Sequence, residues 1–301
     1  MIIGKLLLQL IGRSMQNGED KNLRGVIFDR TENTIFDIPY SKTDDERLKF
    51  DLLKASGDKR KDALIINIHG GAYYHGHRIN NYQVADYFRA AGYDVAVADY
   101  RLTSVKEGRS VETEVRDLLE CVYYLQDHLG DYGLENDKII IMGDSAGGHF
   151  ALLLSEILQD GELQNKWGVG VFSKKISATV VSCPVYDFAI SVYWSGLSKS
   201  GRDYMYGKGW EDEEWTKKLD SRLYIKSLKA PVFISSCEND FLKEHSFLLN
   251  SDLKTIGLEH EFCFIGNKDK KVSHVHNIIN LSLPDSKAVN EAAIRFLETK
   301  A

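Results

Sequence analysis

The chain has 301 residues, 43% of them hydrophobic and 11% aromatic, with 38 Lys and Arg against 44 Asp and Glu for a formal charge of -6. That composition buries a sizeable core, which excludes disorder, and its interspersed charges exclude the clustered Lys and Arg of a nucleic-acid or anionic-membrane surface. No run approaches the roughly 20 apolar residues that a membrane span needs.

In chain order, MIIGKLLLQLIGRSM at the N-terminus resembles a secretion signal only briefly. Its apolar core of about seven residues is broken by Lys5 and meets no small-residue cleavage site, so an amphipathic cap helix is expected within residues 1–34. TIFDIPYS and RLKFDLLKAS then read as antiparallel edge strands. From residue 62, β-rich runs alternate with helical patterns. DALIINIH (62–69) predicts a buried strand, INNYQVADYFRAAG (79–92) a helix stopped by Gly92, and YDVAVADY (93–100) a strand. VETEVRDLLECVYYLQDHLG (111–130) predicts a helix, KIIIMG (138–143) a strand, SAGGHFALLLSEILQD (145–160) a helix and KISATVVSCPV (175–185) a strand. APVFISSCEN (230–239), EHSFLLNSDLKTIG (244–257), EHEFCFIG (259–266) and SKAVNEAAIRFLETK (286–300) continue strand, helix, strand, helix.

Nearly unbroken Val and Ile in these strands is what a parallel sheet covered by helices on both faces requires. Residues 186–225 break the alternation. They are rich in Tyr, Trp, Gly and charge without a strand period, and predict an insertion lying as a lid over one end of the sheet. No repeat or Pro/Ser-rich linker divides the chain, so a single α/β domain over 1–301 is expected.

Cys121, Cys183, Cys237 and Cys263 form no CxxC pair and lie mostly in apolar runs. They read as buried hydrophobes rather than a disulfide frame or zinc site, which suits a reducing compartment, and a cytoplasmic location is expected.

The chemistry concentrates at strand ends. In DKIIIMGDSAGGHF (137–150) a strand runs into Gly143-Asp144-Ser145-Ala146-Gly147 and then a helix. A sharp strand-to-helix turn strains its central residue and projects the side chain, while small residues at 143 and 147 avoid collision. The helix behind it points its free N–H groups at whatever Ser145 attacks. The alternative, Ser145 as an ordinary N-cap, leaves the rest of the pattern unexplained. Upstream, the strand at 62–69 ends in His69-Gly70-Gly71-Ala72-Tyr73-Tyr74-His75-Gly76, a loop poor in bulky side chains at its start. The Gly71 and Ala72 amides, with that of Ala146, would hold an oxyanion.

A nucleophilic serine needs a base, and the base an orienting acid. Among nine histidines, His274 and His276 lie in the loop between the last strand and the last helix, whereas His75, His77, His128, His149, His245 and His260 lack strand-end context. Asp240 follows a strand end; Glu238 and Asp187 are weaker acids for the role. The chain order is then serine, acid, histidine.

With these residues in hand, the chain resembles the α/β-hydrolase superfamily, in particular the esterases related to hormone-sensitive lipase and the bacterial acetyl esterase and feruloyl-esterase-like branch. HGGAYYHG is similar to that group's oxyanion motif, GDSAGG to its nucleophile elbow, ADYRL (98–102) to its D-Y-R-L, and SHVHNIINLSLPDSKAVNEAAIRFL to its closing segment. The last similarity selects His274, with His276 where the family usually has Phe. Two departures stand out: Thr103-Ser104 replaces the family's Pro-Glu, and Ala72 its third glycine.

The resemblance implies an α/β-hydrolase fold and a serine esterase acting on a small-molecule ester, short-chain acyl or small aryl, through Ser145, Asp240 and His274. It implies no metal or organic cofactor. An amidase of the arylformamidase kind uses the same machinery, and a catalytically silent binding protein on the fold is the remaining alternative. Tyr73, Tyr74, Tyr193 and Trp194 are candidates to line an acyl or aryl pocket, the plainer reading being loop packing. A homodimer is compatible with the sequence. KWGVGVFSKK (166–175) lacks dinucleotide-binding spacing, and no P-loop or HExxH occurs.

Overall fold

The computed structural model describes residues 8–10, 33–57, 60–193, 197–266 and 269–300. Its apolar runs form one eight-stranded sheet of β1 (Thr34–Pro39), β2 (Lys49–Leu53), β3 (Leu64–Ile68), β4 (Asp94–Ala98), β5 (Lys138–Asp144), β6 (Lys175–Ser182), β7 (Val232–Cys237) and β8 (His260–Ile265). The spatial order is β1-β2-β4-β3-β5-β6-β7-β8. β1 and β2 add antiparallel to β4 at one edge, and the six strands from β3 onward are parallel.

Alternation of side chains across β3 explains why its sequence is apolar throughout. Leu64, Ile66 and Ile68 enter one core with Phe150, Leu153 and Leu118, while Ile65 enters the other with Phe88, Val95 and Phe296. Each face needs its own cover. Helices α1 (Tyr82–Ala90), α2 (Val111–His128), α3 (Ala146–Leu158), α4 (Gly161–Trp167), α5 (Phe188–Tyr193), α6 (Lys199–Tyr206), α7 (Glu213–Leu219), α8 (Lys243–Ile256), α9 (His276–Ile279) and α10 (Pro284–Lys300) supply the covers and crossovers.

The order β4-β3-β5 places a reversal of winding at β3, and in such sheets the crevice beyond the carboxyl ends opens there. Ile68 pairs with Gly143 in register, so the loop after β3 and the turn after β5 leave the sheet side by side. An isolated parallel bridge between Asn239 and Ser273 likewise brings the segments after β7 and β8 together.

Three expectations are refined. The helix over 79–92 begins with a 3-10 turn at Arg78–Asn81, and α4 and α9 are short helices that the periodicity does not announce. Of the N-terminal cap, residues 8–10 are helical with Leu8 buried, and the remainder of 1–32 lies outside the described residues. Among the described residues of 186–225, three helices, α5 to α7, and the start of a 3-10 stretch at Ser221–Ser227 lie between β6 and β7.

Candidate active site

Ser145 sits between β5 and α3 with φ 54° and ψ −118°, a backbone conformation that costs a non-glycine residue about 1–3 kcal/mol. Its neighbours explain how the turn closes. A side chain at Gly143 would overlap the carbonyl of Gly147, and one at Gly147 would overlap the carbonyls of Ile68 and His69. The Ser145 amide donates to Ser182 O at 2.9 Å and the Val185 amide donates to Ser145 O at 3.2 Å, fixing the turn to β6.

His274 Nε2 lies 2.9 Å from Ser145 Oγ, and His274 Nδ1 lies 2.6 Å from Asp240 Oδ1. One unbroken hydrogen-bonded line therefore joins three segments that are far apart in sequence. Asp240 also accepts from the Leu242 amide at 2.9 Å and the Ser236 hydroxyl at 2.8 Å. Burial pushes its carboxyl up, but the His274 contact and these donors more than offset that and hold it below the usual carboxylate range. His276 is turned away: its Nδ1 lies 2.9 Å from Ser286 Oγ, and the ring is buried. The weaker acids also have other partners, Asp187 with Arg222 at 2.9 Å and Glu238 with Lys243 at 3.1 Å.

Cys183, at φ 49°, follows β6 beside this line, and its sulfur accepts from the Val275 amide at 3.3 Å. Among the described residues, Cys183, Asp240 and His274 bring one metal-ligating atom each within 4.8 Å of one another. Burial and the neighbouring Asp240 push the Cys183 thiol well up, so it stays protonated and makes a poor metal ligand.

Gly71, Ala72 and Tyr73 follow β3 with φ 126°, 50° and 71°, three successive residues in the left-handed half of the map. At Gly71 a side chain would overlap the His75 carbonyl, whose own amide closes the turn onto Gly71 O at 3.0 Å. Such a run of backbone amides forms a concave donor surface for an anion. Buried groups that sequence reading does not single out as functional hold the loop at both ends. Asp144 accepts from the Gly70 amide at 3.2 Å and from Asn81 Nδ2 at 2.7 Å. Asp99 accepts from Arg78 N at 2.7 Å and Nη1 at 2.6 Å, with His69 Nε2 at 3.3 Å and His77 Nε2 at 3.1 Å. Burial opposes its ionisation, yet His69, His77 and Arg78 hold its carboxyl at about 2. The only sequence signal for it is its place in ADYRL.

Tyr73 sits differently from expectation. It is 2% exposed, with its ring against Phe150, Phe188 and Tyr206 and its hydroxyl 3.1 Å from His149 Nδ1, so it belongs to the core rather than a pocket wall. Burial lowers His149 to about 4, so at neutral pH its ring is uncharged, accepting from Tyr73 and donating through Nε2 to Leu219 O at 2.7 Å. Thr103 completes the link. Its amide donates to Tyr73 O and Glu114 Oε1, both at 3.1 Å, bonds that the family's proline could not make. Its hydroxyl lies 3.2 Å from the carbonyls of Tyr204 and Met205 in the insertion.

Tyr74 is half-buried with its ring 5.2 Å from Tyr204, and Tyr193 is 50% exposed. Tyr193 lines a surface cavity of about 600 Å³ with Ala189, Glu211, Asp220 and Leu223, to which Ser145, Asp240 and His274 contribute nothing. Trp194 lies outside the described residues.

The chain matches the family described as BD-FAE over residues 50–253. An alpha/beta hydrolase of Acanthamoeba polyphaga mimivirus is 20% identical over 253 residues, 79% of this chain and 69% of that protein. Among solved structures, esterase B of Lactobacillus rhamnosis is 20% identical with a TM-score of 0.84, over 99% of this chain and 96% of that one. A truncated carbohydrate esterase from gut microbiota is 17% identical with a TM-score of 0.69, over 92% and 100% of the two chains. A bacterial heroin esterase is 16% identical with a TM-score of 0.67, over 97% and 91%. At these identities the structural likenesses establish the α/β-hydrolase fold, while activity has to be argued from the site.

Proposed function

The chain belongs to the BD-FAE family, and from that premise we propose that it is a serine hydrolase of carboxylic esters. The observation that carries the reading is the line from Ser145 through His274 to Asp240, at 2.9 and 2.6 Å, ending on a serine held in a strained turn. His274 Nε2 takes the Ser145 hydroxyl proton as Oγ bonds to the ester carbonyl carbon. The carbonyl oxygen becomes an oxyanion, stabilised by the amides of Gly71, Ala72 and Ala146, a single such donor being worth roughly 3–4 kcal/mol. The tetrahedral carbon then releases the alcohol oxygen, which takes the proton from His274. Water, giving a proton to His274, attacks the acyl group, and Ser145 leaves with that proton. Asp240 stays ionised throughout, fixing the Nδ1–H tautomer and stabilising the imidazolium.

Small substrates are favoured. The neighbouring esterase B has been solved inhibited by a tributyrin phosphonate, and the insertion here packs on the oxyanion loop through Tyr206 against Tyr73 and Tyr204 against Tyr74. Initial rates on p-nitrophenyl acetate, butyrate, octanoate and palmitate test the reading, with Ser145→Ala as blank. The expected result is a steep fall beyond butyrate and a loss in the variant on the order of 10⁶-fold in kcat. Turnover surviving in Ser145→Ala, or none in the native chain on any of the four, would overturn it.

A further inference from the structure

Phe241 follows the orienting acid directly and is 68% exposed, while its ring centroid lies 4.2 Å from that of His274 at an interplanar angle of 38°. A lone exposed aromatic is ordinary on a protein surface. This one leans on the imidazole that hands a proton to the departing group. The polar side chains around it are committed elsewhere. Ser236 donates to Asp240, Asn239 Nδ2 donates to Asp269 O and Val272 O, and Glu238 pairs with Lys243. Leu242 is buried. Phe241 is thus the one side chain of the 236–243 turn that presents a broad unengaged surface beside His274.

We propose that Phe241 is a substrate-contacting residue that forms the wall on the leaving-group side and selects esters of apolar alcohols, aryl or arylalkyl, over those of small or polyhydroxylated ones. The inference rests on the ester-hydrolase reading above. When the tetrahedral carbon breaks its bond to the alcohol oxygen, the electron pair goes to that oxygen and the proton on His274 Nε2 follows it. The alcohol oxygen must then sit within hydrogen-bond reach of Nε2. Its next atoms pass along the imidazole, which on one face is roofed by the Phe241 ring. An apolar alcohol removes that exposed ring from water and gains an aromatic or aliphatic contact, which a polyhydroxylated alcohol does not. Once the alcohol has gone the contact is lost, so its effect falls on acylation.

The test holds the acid constant and changes the alcohol. The kcat/KM values for benzyl acetate and methyl acetate are measured for the native chain, Phe241→Ala and Phe241→Tyr. The benzyl-to-methyl ratio is expected to fall about tenfold in Phe241→Ala and to be retained in Phe241→Tyr, which keeps the ring. A ratio unchanged in Phe241→Ala overturns the proposal. That holds whether both esters lose rate together, as they would if the ring merely steadied His274, or neither does. A native chain inactive on every p-nitrophenyl ester would instead sink the ester-hydrolase reading, so one failure is read in the variant's benzyl-to-methyl ratio and the other in the native chain's p-nitrophenyl rates. Thermal melts confirm that the exposed substitution leaves the fold intact.

Discussion

Two regions meet at the oxyanion loop and are held together by opposite means. The seam between β3 and β5 closes because side chains are missing at Gly143 and Gly147, where an added Cβ would overlap the backbone of Gly147 and of Ile68 and His69 respectively. The insertion at 186–225 closes because side chains are present, with Phe188 and Tyr206 packed around Tyr73 and His149 and Trp215 behind Phe188. Steric exclusion permits one solution, whereas aromatic packing permits many. The seam is therefore specified position by position, and the insertion only as an ensemble of contacts.

The contrast can be broken at the seam first. Gly147→Ala should lower kcat at least about 10³-fold and depress Tm by more than about 10 °C, because backbone must move for the methyl to fit. Gly161→Ala, where an added methyl meets nothing within 4 Å, should stay within about 0.5 kcal/mol of the native chain. Equal effects at the two glycines would show that the seam has slack the geometry denies.

The insertion side should yield more gradually. Tyr73→Phe strands the buried His149 Nδ1 and should cost about 1–3 kcal/mol in chemical denaturation, with a drop of roughly tenfold in kcat and little change in KM. An unaltered kcat would mean that the clamp supports stability without positioning the Ala72 amide.

The smallest effect concerns pH. Unfolded His149 takes up its proton near pH 6.5 and the folded one only near 4, so between those values the unfolded state holds more protons and stability falls as pH drops. Asp220, raised to about 6 mainly by burial, works the other way between its unfolded value and 6, so the sign is best read as a difference between proteins. From pH 6.5 to 4 the native Tm should decline more steeply than that of His149→Gln, by about 5 °C. Parallel declines would show that His149 carries its proton when folded.

How much was legible follows the same division. Strand ends with glycines flanking a serine restrict residue type so tightly that Ser145 and the Gly71–Ala72 backbone can be picked out by position, and at the end of β7 the choice narrows to Glu238 and Asp240. The choice between His274 and His276 rests in the sequence on the family resemblance alone, because two residues apart in one loop they differ only in where the chain turns. Val275, at φ 50°, is that turn, sending His274 to Ser145 and His276 to Ser286. Tyr73 and Tyr193 look equivalent as aromatic loop residues, yet one is sealed in the core and the other half in water. Nothing local encodes their partners, which come from α3 and from across the insertion. Thr103 is legible only as a departure from a motif, because the partners that its amide and hydroxyl tie together, the oxyanion loop and the carbonyls of Tyr204 and Met205, are remote from it in sequence.

The line from Ser145 to His274 spans 129 residues of chain, with Asp240 34 residues before the histidine. During synthesis the strained serine and its elbow can therefore be assembled on β3, β5 and β6 while the base is still unmade. Contacts of such long separation close late in folding. If the proposed reading holds, a chain that has formed the Ser145 turn but not yet docked the segments after β7 and β8 would have its nucleophile without base or orienting acid. On that reading, hydrolysis would be the last property the chain acquires.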